Sequence, residues 1–327
     1  MDEQLKACAQ RAIGEKVFPG CVIGYVRRDG TRTILPLGNY KYVTSSAVKA
    51  RTIYDLASIT KSIPLASLAL TFIAEGKLSQ GDPVKKYLPE LQHDHGATIE
   101  DLLRYRVRGP RLSTLHYATF EEVRGAILEK GFEGPAGEEH YANAPALLLG
   151  IVLERVGGSI LPALANRYFF EPLHMLDATF FPFDKRRIVP TEVLAPVHYE
   201  IRGIVHDESA RLFAMHRRAV GHAGLFATAP DLLNFLEALL NVGHPMSYIV
   251  EGAQKGLGWE VDKEWMGRHR REKTFGKTGF TGTSILCDVE RGIGLVILSN
   301  RTYPHRPPDN SAINLFRRDI ADIVFEV

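Results

Sequence analysis

Leu5, Ala9, Ala12 and Ile13 recur at helical spacing among charged neighbours, which predicts a helix over Asp2 to Lys16. Cys21 to Val26 and Thr33 to Leu37 are apolar runs separated by the turn signal Arg28-Asp29-Gly30, and they predict a β-hairpin. A short strand over Thr52 to Leu56 leads into a long apolar helix from Ser58 to Glu75, with Gly76 just past its end, where glycine is favoured. From Lys77 to Phe226 the pattern is helical, with many loops and little strand. Thr98-Ile99-Glu100-Asp101 opens one helix with a capping-box pattern, and Ala144 to Val156, behind Asn143, is apolar nearly all round. Phe181 to Gly221 is irregular and charged, and a helix follows from Pro230 to Leu240 with proline in its first turn. Leu257 to Val261, Thr274 to Gly279, Ser284 to Asp288 and Ile293 to Ser299 read as an antiparallel meander, and Asn310 to Val327 as a closing amphipathic helix.

Strands at both ends therefore flank a helical middle. The expected fold class is α/β (α+β), an antiparallel sheet flanked by the terminal helices with an all-helical domain inserted. The sheet domain is discontinuous, 1–76 and 227–327, and the helical domain is 77–226. A site is expected at their seam, where pockets commonly form.

The length of 327 residues agrees with two domains at ~150 residues each. A hydrophobic share of 45% with 24% charged residues excludes a disordered chain, a collagen and a coiled coil. Lys+Arg 40 against Asp+Glu 38 leaves +2, without the basic excess of a nucleic-acid binder. Cys8, Cys21 and Cys287 are too scattered for a disulfide framework or a zinc knuckle and read as small core residues. The charged start has no apolar export segment, and the apolar stretch near Leu65 to Ala74 is shorter than the ~20 residues a bilayer span takes. As written the chain is expected to be soluble and cytoplasmic, without a membrane span.

Three short motifs carry chemistry. A serine three residues before a lysine shares one helix face with it, and a partly desolvated lysine can take the serine proton. The chain has two such pairs, Ser46 with Lys49 and Ser58 with Lys61. Ser46 sits in a polar loop, whereas Ser58 follows a strand and opens a buried helix. Taken alone, Ser58 equally suits a plain helix N-cap. The second motif is Tyr141-Ala142-Asn143. A tyrosine among ammonium groups has a lowered pKa and can act as a base, while Asn143 alone also suits a helix cap. The third is Lys277-Thr278-Gly279 on a strand, followed by Phe280. Lys277 can attract a carboxylate, Thr278 can hydrogen-bond one, Gly279 lets a substrate backbone come close, and the Phe280 N–H can donate to an oxyanion.

In this order and setting the motifs resemble those of the penicillin-recognising serine hydrolases. The Tyr-x-Asn form is similar to the class C β-lactamase branch, with its D-alanyl carboxypeptidases and esterases. Asp55 to Lys61 resembles that family's nucleophile segment, Asp82 to Pro89 the loop after it, and Pro172 to Phe180 another of its stretches. Val205 to Glu208, Gly221 to Phe226 and Gly279 to Thr283 are similar to wall segments of one subgroup. The resemblance implies that Ser58 is acylated and that Lys61 and Tyr141 share the proton work. Asn143 then orients the substrate amide, and Lys277 and Thr278 grip its carboxylate. No metal or organic cofactor is implied. The expected substrate is a small molecule or peptide with a carboxylate, a β-lactam or D-alanyl peptide. A carboxylesterase or a non-hydrolytic peptide- or glycan-binding module is the alternative.

The chain departs from the pattern in places. Lys277 stands where the similar subgroup often has histidine, Leu103 to Gly109 replaces a His-Thr-Ser-Gly-Leu stretch, and Pro64 lies inside the nucleophile helix. The family is usually exported, which the charged start does not reflect. His93-Asp94-His95 reads as a surface loop, and Arg268 to Lys273 as a solvated hairpin loop. His206 and His222 either line the cleft or serve structure. Asn300 and Arg301, after the last strand, are further candidates for holding a substrate carboxylate.

Overall fold

The computed structural model describes residues 1–43, 45–112, 119–241 and 243–326. The remaining positions, including Val327 at the end of the expected terminal helix, lie outside the described residues.

The strands are β1 (Gly20–Arg27), β2 (Arg32–Gly38), β3 (Tyr54–Asp55), β4 (Glu192–Leu194), β5 (Tyr199–Ile201), β6 (Phe226–Ala227), β7 (Glu260–Val261), β8 (Phe275–Thr278), β9 (Ser284–Asp288) and β10 (Ile293–Ser299). Six of them form one antiparallel sheet in the order β2-β1-β10-β9-β8-β7. The two ends of the chain meet where β1 pairs with β10, Ile23 opposite Ile297. Both strands are covered on both faces, so they read as continuous apolar runs without alternation. On one face Leu5, Phe18, Ile23, Leu295, Phe316 and Ile320 pack between the sheet and the helices Asp2–Gly14 and Ser311–Phe325. On the other, helix Ala229–Leu240 lies directly on β1 and β10. Gly294 makes that approach possible, since a Cβ there would lie 2.8 Å from the Leu236 Cβ.

Helix Asn143–Gly157 is buried along most of its length, and Thr98 forms the expected capping box with Asp101. Strand β7 is shorter than the expected Leu257 to Val261 because Gly256 and Gly258 both adopt φ of +74°, which breaks the extended chain.

The expected continuous helix from Ser58 to Glu75 is not formed. A 3₁₀ turn over Ala57–Lys61 passes into a wide turn over Ser62–Ala66, and regular α-helix spans only Ser67–Ala74. Pro64 has no N–H to donate and drives the preceding residue out of the helical region, and Ile63 is extended at φ −118°, ψ 113°. Ser67 Oγ donates to the Ser62 carbonyl, one of the groups this frees, and Ser62 Oγ ties the turn to the Gly258 carbonyl. By length and composition the run Ala57–Ala74 is apolar enough to cross a bilayer, but 83% of it is buried in this fold. Cys8, Cys21 and Cys287 are buried free thiols.

Candidate active site

The short pairing of β3 with β6 delivers Asp55 and Leu56 to the turn that carries Ser58. Ala57, one residue before the serine, is left-handed at φ +47°. That conformation costs an alanine roughly 1–2 kcal/mol, so the surroundings must hold it. Asp55 does so, accepting the Ala57 N–H at 2.8 Å and the His206 N–H at 2.7 Å. Burial outweighs those bonds and pushes the Asp55 carboxyl up to about 6. The loop after β8 is stitched to the same place. Thr281 Oγ1 donates to the Asp55 carbonyl at 2.7 Å and Thr283 Oγ1 to the Leu56 carbonyl at 3.2 Å. A Cβ on Gly279 would lie 2.4 Å from the Leu56 carbonyl oxygen, so glycine is required for this contact. The Lys-Thr-Gly strand end thus abuts the serine turn.

Lys61 is 1% exposed, and its Nζ donates to Ser58 Oγ at 3.1 Å and to the His222 carbonyl at 2.7 Å. Burial, reinforced by the charge of Lys277, pushes its pKa down against the attraction of Tyr141 and Asp207. The Tyr141 ring lies between two ammonium groups, 5.1 Å from Lys61 Nζ and 4.8 Å from Lys277 Nζ. Burial of its hydroxyl works to raise its pKa. The charges of Lys61 and Lys277 and the hydroxyl of Ser58 together overcome this and lower it. The Ser46–Lys49 pair, by contrast, is exposed in its loop.

Lys277 is buried and already paired. Glu260 Oε1 lies 3.1 Å from its Nζ, and Thr278 Oγ1 donates to the same oxygen at 3.4 Å. Burial opposes the Lys277 charge, but Glu260, Tyr141 and Tyr105 hold its pKa above the ordinary lysine value. Asn143 opens its helix and is not an N-cap. Its Nδ2 donates to Asp207 Oδ2 at 3.3 Å, which turns the amide oxygen away from that carboxylate. Phe280 is exposed in the lobe that also holds Ser58, Asp207 and Arg306.

The residues named from sequence thus converge, with three unnamed neighbours. Glu260 was readable only through the β7–β8 register, which sets it opposite Gly276, next to Lys277. Tyr105, from the departing stretch, is buried at φ +54° with its ring 5.3 Å from Tyr141, and no local pattern marks it. Asp207 lies in the wall segment Val205 to Glu208, but its partner Asn143 is remote in sequence. One expectation needs correction. Asn300 and Arg301 do not face a substrate. Asn300 Nδ2 donates to the Tyr40 and Pro190 carbonyls, and Arg301 donates to the Phe280 and Asp309 carbonyls. The basic run Arg268 to Lys273 lies, as expected, in the largely exposed connection between the paired strands β7 and β8, where Arg268, Arg270 and Arg271 form surface ion pairs with Asp322, Asp262 and Glu290. His206 and His222 are both buried, and burial lowers both pKa values.

A six-stranded antiparallel sheet with terminal helices on one face and a helical region beside the serine turn is the β-lactamase/transpeptidase-like fold. The chain belongs to the Beta-lactamase family, whose model matches residues 5–318. It is 26% identical over 367 residues to the N-acetylmuramyl-L-alanine amidase of Bacillus subtilis (strain 168), covering 92% of this chain and 81% of that one. It is 29% identical over 308 residues to a putative D-alanyl-D-alanine carboxypeptidase of Escherichia coli (strain K12), covering 78% and 70%. The crystal structure of a beta-lactamase from Sulfitobacter sp. EE-36 superposes with a TM-score of 0.78 at 19% identity, over 100% of this chain and 99% of that one. The chain is thus a member of a hydrolase family, with relatives named as an amidase and a putative carboxypeptidase.

Proposed function

We propose that the chain is a serine acyl hydrolase that forms an acyl-enzyme at Ser58 and cleaves amide bonds in short muramyl or D-alanyl peptides. The observation that carries this is the Lys61 Nζ at 3.1 Å from Ser58 Oγ, with Tyr141 held between two ammonium groups. The amidase and carboxypeptidase names of the relatives support the amide class. In this reading the Lys61–Tyr141 pair takes the Ser58 proton as Oγ attacks the carbonyl. The N–H groups of Ser58 and Phe280 receive the oxyanion, and the pair returns the proton to the leaving nitrogen. Water then attacks the ester, with the pair as base, and regenerates Ser58. The test is turnover of N-acetylmuramyl-L-alanyl and D-alanyl-D-alanyl peptides beside p-nitrophenyl acetate and nitrocefin. Peptide turnover at or above that of the ester supports the reading, and turnover of the ester alone favours a carboxylesterase.

Substrate charge enters through Glu260. A substrate carboxylate reaches Lys277 and Thr278 only in competition with that internal one. Glu260→Gln is therefore expected to raise kcat/KM for carboxylate-bearing substrates over neutral esters by roughly tenfold, the lower end of a charge-assisted bond of ~1.5–3 kcal/mol. An unchanged ratio would show that Lys277 does not meet the substrate carboxylate.

The pH profile follows from the pair. The working base is the deprotonated form, and Lys277 lowers the pKa of both Lys61 and Tyr141. Removing that cation raises both, so the acidic limb of kcat/KM moves to higher pH. Lys277→Met in a Glu260→Gln background, which leaves no orphaned carboxylate, is expected to lose more activity at pH 6 than at pH 9. A uniform loss across pH would contradict this.

A further inference from the structure

We infer that Arg317, on the terminal helix, is a positioning residue for the oxyanion site: it holds the Gly279–Thr283 turn so that the Phe280 N–H faces Ser58. This rests on the acyl-hydrolase reading above. Arg317 is 4% exposed, and among the described residues no carboxylate pairs with it. Its Nη2 donates to the Gly279 carbonyl at 3.0 Å and the Thr283 carbonyl at 2.7 Å, and its Nη1 donates to Asn314 Oδ1 at 2.8 Å. Burying a guanidinium without a counter-ion is costly, and a neutral side chain would pack the helix as well.

The turn does not need Arg317 for closure. Gly279 N–H already donates to the Thr283 carbonyl at 2.8 Å, and Gly282 N–H to the Gly279 carbonyl at 3.1 Å. What Arg317 adds is a second, charged donor that fixes the direction of the Gly279 carbonyl. The Gly279–Phe280 peptide is trans, so its N–H and C=O point opposite ways. With the Gly279 carbonyl drawn inward to the guanidinium, the Phe280 N–H is turned outward, into the lobe that Phe280 and Ser58 share. Arg301 secures the next peptide, donating to the Phe280 carbonyl at 2.9 Å. The guanidinium charge beside the Gly279 oxygen also polarises that peptide and strengthens its N–H as a donor.

The test uses Arg317→Gln and Arg317→Lys with one acyl substrate and one boronic acid, whose tetrahedral adduct on Ser58 places an oxygen where the oxyanion forms. Removing an oxyanion donor outright costs about 10²–10³ in kcat, so loosening one is expected to cost Arg317→Gln roughly ten- to a hundredfold. KM should hold, boronate affinity should fall in parallel with kcat/KM, and Arg317→Lys should recover part of both. A variant that folds and keeps parental kcat and boronate affinity overturns the inference. So does an equal loss in substrate affinity, measured in a Ser58→Ala background, because that is a purely structural effect. If Arg317→Gln does not fold, Arg317→Lys decides by the same criteria. Failure of the parent protein to form any boronate adduct at Ser58 would defeat the hydrolase reading itself and this inference with it, an outcome distinct from the variants alone behaving like the parent.

Discussion

Ser58→Ala is expected to reduce turnover of every acyl substrate by about 10⁴-fold or more, as removing the nucleophile from a covalent mechanism does. The substitution deletes one oxygen from a half-buried position. Its hydrogen-bond partner Lys61 keeps the His222 carbonyl at 2.7 Å, so no buried charge is stranded. Thermal stability should therefore stay within a few degrees of the parent, and substrate should still bind, which calorimetry with an uncleaved peptide would show. Residual activity near the parental level would move the chemistry away from this serine.

The second large effect is expected at Lys61. Lys61→Met keeps an unbranched chain of similar length in a fully buried site but offers no basic nitrogen. A loss of about 10²–10⁴ in kcat is expected, the usual contribution of a positioned base. Lys61→Arg separates charge from basicity. It preserves a cation beside Tyr141, but a guanidinium does not give up its proton in proteins and cannot accept one from Ser58. If Lys61 serves as a base, both variants fail together. If only its charge matters, Arg restores activity and Met does not. Steady-state kinetics of the two side by side distinguish these outcomes.

The strands and the chemical residues were legible for different reasons. β1 and β10 are buried on both faces, so their apolar runs stand out, and the turn residues beside them mark the ends. Ser58, Lys61, Tyr141 and Lys277 were legible as local motifs, since chemistry of this kind needs fixed residue types at short spacing. The break at Ile63–Pro64 was only half visible: Pro64 marks an interruption, but the apolar run through Ala74 still reads as one helix. Glu260 and Tyr105 were hidden because their meaning lies in partners remote in sequence. Glu260 acquires a role only when β7 pairs with β8, and Tyr105 only when its loop folds over Tyr141. Arg301 misled because a cation after a strand near a site looks like a substrate ligand. In the folded chain its donors are used on the Phe280 and Asp309 carbonyls and the Asn310 side chain.

The central claim is that Ser58 is the residue acylated. Incubation with a fluorescent penicillin or an aryl phosphonate ester, followed by digestion and mass spectrometry, tests it directly. One adduct on the peptide containing Ser58, absent from Ser58→Ala and slowed in Lys61→Met, is the predicted result. Labelling at Ser46, or no covalent adduct with any acyl or phosphonyl probe, would contradict the account.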